Sequence, residues 1–322
     1  MKKVLVIGGA GYIGSHVAKA LLEDGFKVTV YDNLSTGHKC NLFKDAEFVE
    51  GDIADYELLE KTMRQGFDAV VHLAGKKAVG ESMENPQLYA RNNINGSINI
   101  FNAMVNTEVK NIVFSSTSAV YGMPQYLPID EKHPINPMSF YGFTKYEIER
   151  VMDWYTRLKD FNYIALRYFN AVGYAADGSI TGREKNPQNL LPIIMEVATG
   201  VREKLYVFGN DYDTPDGTCI RDYIHVEDLA SAHVAAIKKL LDEHKSYAIN
   251  LGTNTGTSVL EMIQSAERVT GRKINYEMAP RRAGDPSKVV ATNGYAKEIL
   301  GWKPKYTNVD DIVKTTWNLE IK

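Results

Sequence analysis

Hydrophobic and polar positions along the chain fall into two alternating kinds of segment. Short apolar runs bounded by glycine, asparagine or acids read as buried strands. Between them, apolar residues spaced three and four apart read as helices with one buried face. Val4–Ile7, Phe26–Tyr31, Phe48–Ile53, Ala69–Gly75, Asn111–Phe114, Tyr163–Arg167 and Tyr247–Leu251 are the predicted strands. Ile13, Val17 and Leu21 mark a first helix. Leu58, Leu59 and Met63 mark a second, and Ile94, Ile98, Phe101 and Val105 a third. A further helix opens at Tyr141. Strand-helix alternation with nearly all-apolar strands predicts an α/β fold, a Rossmann-type doubly wound parallel sheet. Later segments continue the alternation. Tyr206–Phe208 is a short strand, His225–Leu241 a strand end and helix. Ser258 with Glu261 is a capping-box pattern opening a helix that stops at Gly271, and Gly301 ends another helical piece. Trp302 and Trp317 read as core anchors of a smaller second domain.

Gly8, Gly11 and Gly14 stand directly behind the first strand and open the first helix. Alone, such a triplet also fits a turn that needs glycine for geometry only. Its place favours a dinucleotide, whose pyrophosphate must approach backbone N–H groups with no Cβ in the way, against the positive end of a helix. The second strand ends at Asp32, where an acid accepts bonds from the adenosine ribose and repels the 2′-phosphate of NADP, so NAD is favoured. Asn33–Gly37 is either a plain surface loop or the bed of the adenosine. Asp52 is either an adenine contact or the N-cap of the next helix. Ala74 and Gly75 are small at a strand's carboxyl end, where a ligand lies over the backbone, and Lys76 and Lys77 are within reach of phosphate or ribose. His72, inside an apolar run, reads as a core histidine. The third helix is rich in asparagine (Asn92, Asn93, Asn95, Asn99, Asn102), which serves either a helix-to-sheet polar network or a ligand.

The charge balance narrows the partners. The 322 residues carry a formal net charge of −3 with both signs interspersed, which offers no footprint for nucleic acid and no polybasic membrane patch. No apolar run approaches the ~20 residues of a membrane span. The first strand starts almost at Met1, so no signal peptide is expected, and two unpaired cysteines, Cys40 and Cys219, fit a cytoplasmic home. Seven scattered histidines give no metal-site spacing.

The fifth strand runs into Ser115, Ser116, Thr117 and Ser118, hydroxyls suited to a substrate hydroxyl at the crevice. Tyr141 and Lys145, one helical turn apart, share a face. An ammonium beside a phenol stabilises the phenolate, which then serves as a general base toward an alcohol.

With these motifs, Gly8-x-x-Gly11-x-x-Gly14, the hydroxyl strand end and Tyr141-x-x-x-Lys145, the chain resembles the extended short-chain dehydrogenase/reductase superfamily. Gly8–His16, Lys77–Ser82, Arg167–Asn170, Phe208–Tyr212 and Arg221–Val226 resemble, more closely, its UDP-glucose 4-epimerase family, and the likeness runs along essentially the whole chain. The resemblance implies reversible C4 epimerisation of UDP-glucose and UDP-galactose through a 4-keto sugar, with tightly bound NAD. It implies Tyr141 as base, Thr117 bonding the reacting hydroxyl, and Lys145 holding the nicotinamide ribose. Tyr12, Ile13, Asp32, Asn33, Asp52, Ile53, Lys77, Asn92 and Phe169 match cofactor positions. Asn170, Asn189, Leu190, Tyr206, Phe208, Arg221, Arg282 and Asp285 match positions that hold the UDP-sugar, the two arginines on the diphosphate. Val289 falls at the gate beside the sugar C2 substituent, where its size implies room for an acetamido group. Lys76 departs from the apolar residue of many relatives. The division implied is 1–171 for NAD and 172–322 mainly for the UDP-sugar, with segments around 220–251 crossing back. The helices of 90–105 and 141–158 resemble those that pair in homodimers.

Rival functions meet obstacles. A 4,6-dehydratase needs an acid pair where Ser118 and Ala119 follow Thr117. Asp32 opposes an NADPH reductase. A uronate epimerase needs a cation for a C6 carboxylate, and none is evident. A non-catalytic NAD-binding regulator has no use for the complete Tyr141, Lys145 and Thr117 set.

Overall fold

Val4, Leu5, Val6 and Ile7 are all fully buried, as a strand covered on both faces requires. The computed structural model describes residues 1–183, 187–282 and 284–321. Every candidate site residue is among them, while Ala283 of the Arg281–Asp285 turn lies outside. The first half runs β1 (Lys3–Ile7), α1 (Tyr12–Glu23), β2 (Lys27–Asp32), β3 (Glu47–Glu50), α2 (Tyr56–Met63), β4 (Ala69–His72), α3 (Val79–Glu84), α4 (Pro86–Tyr89), α5 (Gly96–Asn106), β5 (Asn111–Thr117), α6 (Phe140–Lys159) and β6 (Asn162–Tyr168). The second half runs β7 (Asn170–Val172), α7 (Leu190–Ala198), β8 (Leu205–Phe208), β9 (Ile220–Arg221), β10 (Tyr223–His225), α8 (Val226–Glu243), β11 (Tyr247–Leu251), β12 (Thr257–Ser258), α9 (Val259–Thr270), β13 (Tyr276–Ala279), β14 (Lys288–Val289), α10 (Gly294–Leu300) and α11 (Val309–Glu320).

The central sheet has seven strands in the order β11-β6-β5-β4-β1-β2-β3, every neighbouring pair parallel. Strand order reverses between β1 and β4, so the crevice for a ligand opens at their carboxyl ends. The chain crosses back after the smaller strands to supply β11 and α8. Val17, Leu21, Leu229, Ile237 and Leu240 pack α1 and α8 on one face of the sheet. Leu59, Met63, Ile100, Phe101, Met104, Ile148 and Met152 pack α2, α5 and α6 on the other. At ~1.5–3 kcal/mol for each large apolar side chain buried, these two layers dominate the stability and fix the strand ends as a rigid platform. A third cluster joins α7, α9 and α11 over β8 through Leu191, Ile194, Met262, Ile263 and Val313.

Several predicted boundaries move, each for a local reason. β4 stops at His72 because Leu73 N and Ala74 N both donate to Ile7 O, at 2.8 and 3.1 Å, which closes the ladder. β3 stops at Glu50, since Gly51 lies against the Tyr31 ring, where a Cβ would come within 2.5 Å. β5 continues through Thr117, carrying the hydroxyls into the sheet. The asparagine-rich helix does not bury the stripe Ile94, Ile98 and Val105. A π-helical turn over Ala90–Asn95 rotates the face, so that Asn93, Ser97, Ile100, Phe101 and Met104 go inside. Trp302 packs with the main sheet's core, not the smaller domain, and its indole Nε1 donates to Asp228 O and Ser231 Oγ at 3.1 and 3.0 Å. Trp317 does lie against the third cluster. The capping box at Ser258 and Glu261 is formed, and Gly271 and Gly301 close their helices at φ +65° and +64°.

Candidate active site

The turn after β1 is held by its glycines. Gly8 N donates to Tyr31 O at 2.8 Å. A Cβ on Gly8 would lie 2.6 Å from Ala74 N, and one on Gly14 only 2.0 Å from Gly8 O, so neither position admits a side chain without moving backbone. α1 starts at its N-cap Gly11 with no side-chain cap and no acid in its first turn, so its positive end faces the crevice uncompensated. This cradle fits a dinucleotide pyrophosphate. Tyr12 turns its ring away, its hydroxyl donating to Gly173 O at 2.5 Å and its ring 5.1 Å from that of Tyr174. Ile13 packs partly buried against the sheet's core.

Asp32 is 8% exposed and braces this turn: Oδ2 accepts from Ala10 N at 2.9 Å and Oδ1 from Leu34 N at 2.8 Å. The loop Asn33–Gly37 folds back on it, with His38 N donating to Ala10 O and no space for a Cβ on Gly37. Asn33 Nδ2 donates to Asp52 Oδ2 at 2.6 Å, which puts both at one edge of the crevice. Asp52 does not cap the following helix; Asp55 does, accepting from Leu58 N at 3.0 Å. Ile53 is buried against Gly96. Of the asparagines, Asn93 clamps Lys76 through both its N–H and its carbonyl, at 2.9 and 3.0 Å, and reaches Thr144 Oγ1. Asn99 and Asn102 bond Ile53 O and the Tyr155 hydroxyl. These three form a polar network that ties the helix to the segments after β3 and β4 and to α6, rather than to the strands themselves. Asn92 sits beside Asn93, partly buried. Ala74 is partly buried and Lys77 exposed. Gly75 lies over Lys145, whose Nζ would be 3.7 Å from a Cβ placed there. His72 is a core histidine bonded to Ser97 Oγ at 2.9 Å, and burial lowers it to about 3.

Ser139 caps α6 by accepting from Gly142 N at 3.1 Å, and thereby aims the first turn at the end of β5. Tyr141, partly buried, lies beside Thr117. Burial pushes its phenol up to about 12, and Thr117 pulls the other way. The expected lowering by Lys145 is not what this protein's own groups produce. Lys145 Nζ donates to Ser115 O at 2.8 Å and sits 4.7 Å from the Phe114 ring centre. Burial draws that ammonium down to about 8. Of the hydroxyl cluster, Thr117 is the member that meets Tyr141. Ser115 pairs with the Tyr168 hydroxyl and Ser116 donates to Glu149, so these two are satisfied core groups.

Glu149 and Arg167 escaped the sequence reading. Both are buried, and they pair at 2.5 and 3.0 Å directly behind Lys145. Their signal was present: a charged residue inside the otherwise apolar strand Tyr163–Tyr168 demands a buried partner.

The second half faces this site. Phe208, with the Arg282 guanidinium 4.0 Å from its ring centre, ends β8, and Tyr206 on the same strand is half exposed. Arg221 Nη2 pairs with Asp285 Oδ1 at 2.5 Å. Val289 is paired with Arg221 across β14 and β9, and packs with Phe169 against Val120, Tyr121 and Ile129. Asn170 Nδ2 donates to Asp222 O at 3.0 Å. Asn189 is the N-cap of α7 with no side-chain cap bond, and lines a small cleft with Tyr12 and Gly173; Leu190 starts the helix and packs on the third cluster. Among the described residues no three His, Cys, Asp or Glu side chains are grouped to hold a metal, and no helix is long and apolar enough to cross a membrane.

A glycine cradle on a helix N-terminus, an acid at the end of β2 and a Tyr-Lys-Thr cluster at the end of β5 together define a nicotinamide-dependent enzyme of the Rossmann type. The chain belongs to the NAD dependent epimerase/dehydratase family, whose model matches residues 4–252. Among its relatives, the UDP-glucose 4-epimerase of Lactobacillus helveticus is 47% identical over 317 residues, 98% of this chain and 96% of that protein. The UDP-glucose 4-epimerase of Brucella ovis in complex with NAD has a TM-score of 0.96 and 46% identity, covering 98% of this chain and 97% of that one. That of Bifidobacterium longum, in complex with NAD+ and UDP, has a TM-score of 0.93 and 38% identity, with 99% and 98% covered.

Proposed function

We propose that this chain binds NAD and interconverts UDP-glucose and UDP-galactose by inverting the sugar at C4. The observation that carries the reading is the placing of Tyr141 beside Thr117 at the carboxyl end of β5, with Lys145 beneath Gly75 at the same crevice as the glycine cradle. The relatives named above support the substrate. Thr117 holds the 4-hydroxyl, and Tyr141, as phenolate, takes its proton and later returns it. NAD held at the glycine cradle would supply reversible hydride transfer at C4, by way of a 4-keto sugar, so that no net redox change would result. A phenol that burial, against the pull of Thr117, holds up at about 12 needs added positive charge to act near neutrality. Lys145 supplies one such charge, and the cationic nicotinamide ring is the other.

Gly8, Gly11, Gly14 and the backbone of Tyr12 and Ile13 face the pyrophosphate in this reading. Asp32, Asn33, Asp52 and Ile53 face the adenosine, and Ala74, Gly75, Lys77, Asn92, Phe169 and Lys145 the nicotinamide side. Asn170, Asn189, Leu190, Tyr206, Phe208, Arg221, Arg282 and Asp285 surround the UDP moiety. Residues 1–171, joined by β11 and α8, thus serve the cofactor and 172–322 mainly the sugar nucleotide.

The test is C4 epimerisation by purified protein with no NAD added, with UDP-galactose and UDP-N-acetylgalactosamine in parallel. Turnover of UDP-galactose is expected; absence of turnover even with NAD supplied would overturn the reading. Val289 packs on the same cluster as Phe169 and is smaller than an aromatic residue; read as the gate beside the sugar C2 substituent, it predicts turnover of the N-acetyl pair too, and failure there would remove the gate assignment alone. Two copies pair through α5 and α6 in this account, where Trp154 and Leu158 are 56% and 68% exposed beside a groove of about 580 Å³. Sedimentation at a monomer mass would contradict that pairing.

A further inference from the structure

Three successive residues of β5 meet three residues of α6 spaced one turn apart. Thr117 lies beside Tyr141, the carbonyl of Ser115 accepts from Lys145, and the hydroxyl of Ser116 donates to Glu149. Tyr141 and Lys145 have roles at the reacting atoms. Glu149, deeper by one turn, has none assigned. Its carboxylate is almost wholly buried and fully engaged: Oε1 accepts from Ser116 and from Arg167 Nε at 3.0 Å, and Oε2 from Arg167 Nη2 at 2.5 Å. Arg167 is fixed in turn, Nη1 donating to the Tyr121 hydroxyl at 3.0 Å, and Tyr121 donating to Asn250 Oδ1 at 2.6 Å. A buried ion pair of this kind is weak evidence for stability, because desolvation costs about as much as the pairing returns.

The charges around Lys145 give the pair another role. Lys145 is 4% exposed, and its ammonium meets the Ser115 carbonyl and the face of Phe114. His72 faces it from β4, buried and neutral. Tyr141 flanks it on α6, and Tyr168 on β6 lies near Tyr141; both phenols are held neutral by burial. Arg167 on β6 and Glu149 on α6 are the remaining charges of this cluster, and Glu149 is the one that favours the charged lysine. Take Glu149 away and two cations share one buried site. Arginine does not give up its proton, so the lysine must.

We propose that Glu149, locked in place by Arg167 and Ser116, is a positioning residue that keeps the Lys145 ammonium charged and aimed at the reaction crevice. The inference rests on the reading of Tyr141, Lys145 and Thr117 as the reacting site. Lys145 is thereby ready to hold a ribose hydroxyl and to stabilise the Tyr141 phenolate. Arg167 holds the carboxylate so that it serves Lys145 without itself collapsing onto the lysine.

The experiment follows the Lys145 ammonium directly, by NMR of lysine-labelled protein titrated with pH, the resonance being assigned from its loss in Lys145→Met. In Glu149→Gln the Lys145 midpoint is expected to fall by about one unit or more. In the pH profile of kcat/KM the alkaline limb is expected to move down with it, about tenfold in rate for each unit above the midpoint. In Glu149→Gln/Arg167→Met, which removes both charges, the midpoint and limb are expected between those of the single variant and the unmodified protein. This second variant stands in should the first not fold. A merely structural role predicts uniformly lower kcat with midpoint and limb unmoved, and that result in whichever variant folds would overturn the proposal. The NMR midpoint needs no turnover, so a protein that titrates as described but does not epimerise would fail the functional reading and leave this one standing.

Discussion

Thr117→Val removes one hydroxyl and keeps the shape of the side chain. Thr117 is 8% exposed, so no water easily replaces the lost group. Its Oγ1 has two neighbours, the Tyr141 phenol beside it and Ala119 N, from which it accepts a bond at 3.2 Å. The second caps a short turn, and its loss costs roughly 1 kcal/mol of stability. The first matters when the phenol becomes a phenolate, because a hydrogen bond to a charged partner is worth about 1.5–3 kcal/mol. Lost only where charge develops, that energy lowers kcat by about 10- to 150-fold. The assay is initial-rate epimerisation of UDP-galactose, with bound NAD measured on the same preparation. NAD content is expected unchanged, since Thr117 is placed at the sugar. A kcat within threefold of the unmodified protein at equal NAD content would refute the assignment of Thr117 to the reacting hydroxyl.

Two further outcomes follow from the same geometry. Gly14→Ala places a Cβ 2.0 Å from Gly8 O, backbone that cannot yield, so the purified variant is expected to lose bound NAD, and full NAD content would contradict the cradle. His16, His72, His225 and His233 are buried and lowered to about 4, 3, 3 and 4, so the folded protein refuses protons that the unfolded chain takes up below its ordinary value of 6.5. Stability is then lost as pH falls below that value, each histidine contributing about 1.4 kcal/mol at pH 5.5. Asp222, raised to about 6 by burial, works in the opposite sense and offsets about 1 kcal/mol. The unfolding midpoint should fall by roughly 6 °C between pH 7.5 and 5.5; an unchanged midpoint would contradict neutral buried histidines.

Much of this was legible in the chain because the relevant signals are local. A glycine turn behind an apolar run, an acid at the next strand's end and a Tyr-Lys spacing of one helical turn each act within a few residues. Ser258 and Glu261 cap each other for the same reason. What escaped depends on contacts distant in sequence. The face of α5 departs from the apolar periodicity because a π-helical turn at Ala90–Asn95 adds to the rotation, and Asn93 is drawn inside by Lys76 and Thr144. Trp302 sits 15 residues before Trp317, yet Asp228 and Ser231 of α8 draw it to the other core. Ser115 and Ser116 looked like substrate ligands, and only the fold shows that Tyr168 and Glu149 take them. The lowered phenol expected of Tyr141 fails for a related reason: Lys145 spends its near hydrogen bond on Ser115 O, and burial wins.

The central claim is that Tyr141 is the base of an epimerase. Tyr141→Phe deletes the phenol oxygen and leaves the helix, Lys145 and the glycine cradle in place. The measurement is UDP-galactose epimerisation by this variant, with bound NAD quantified alongside. The account predicts loss of turnover by about 10²- to 10⁴-fold with NAD retained. A variant that keeps more than a tenth of the activity would contradict it.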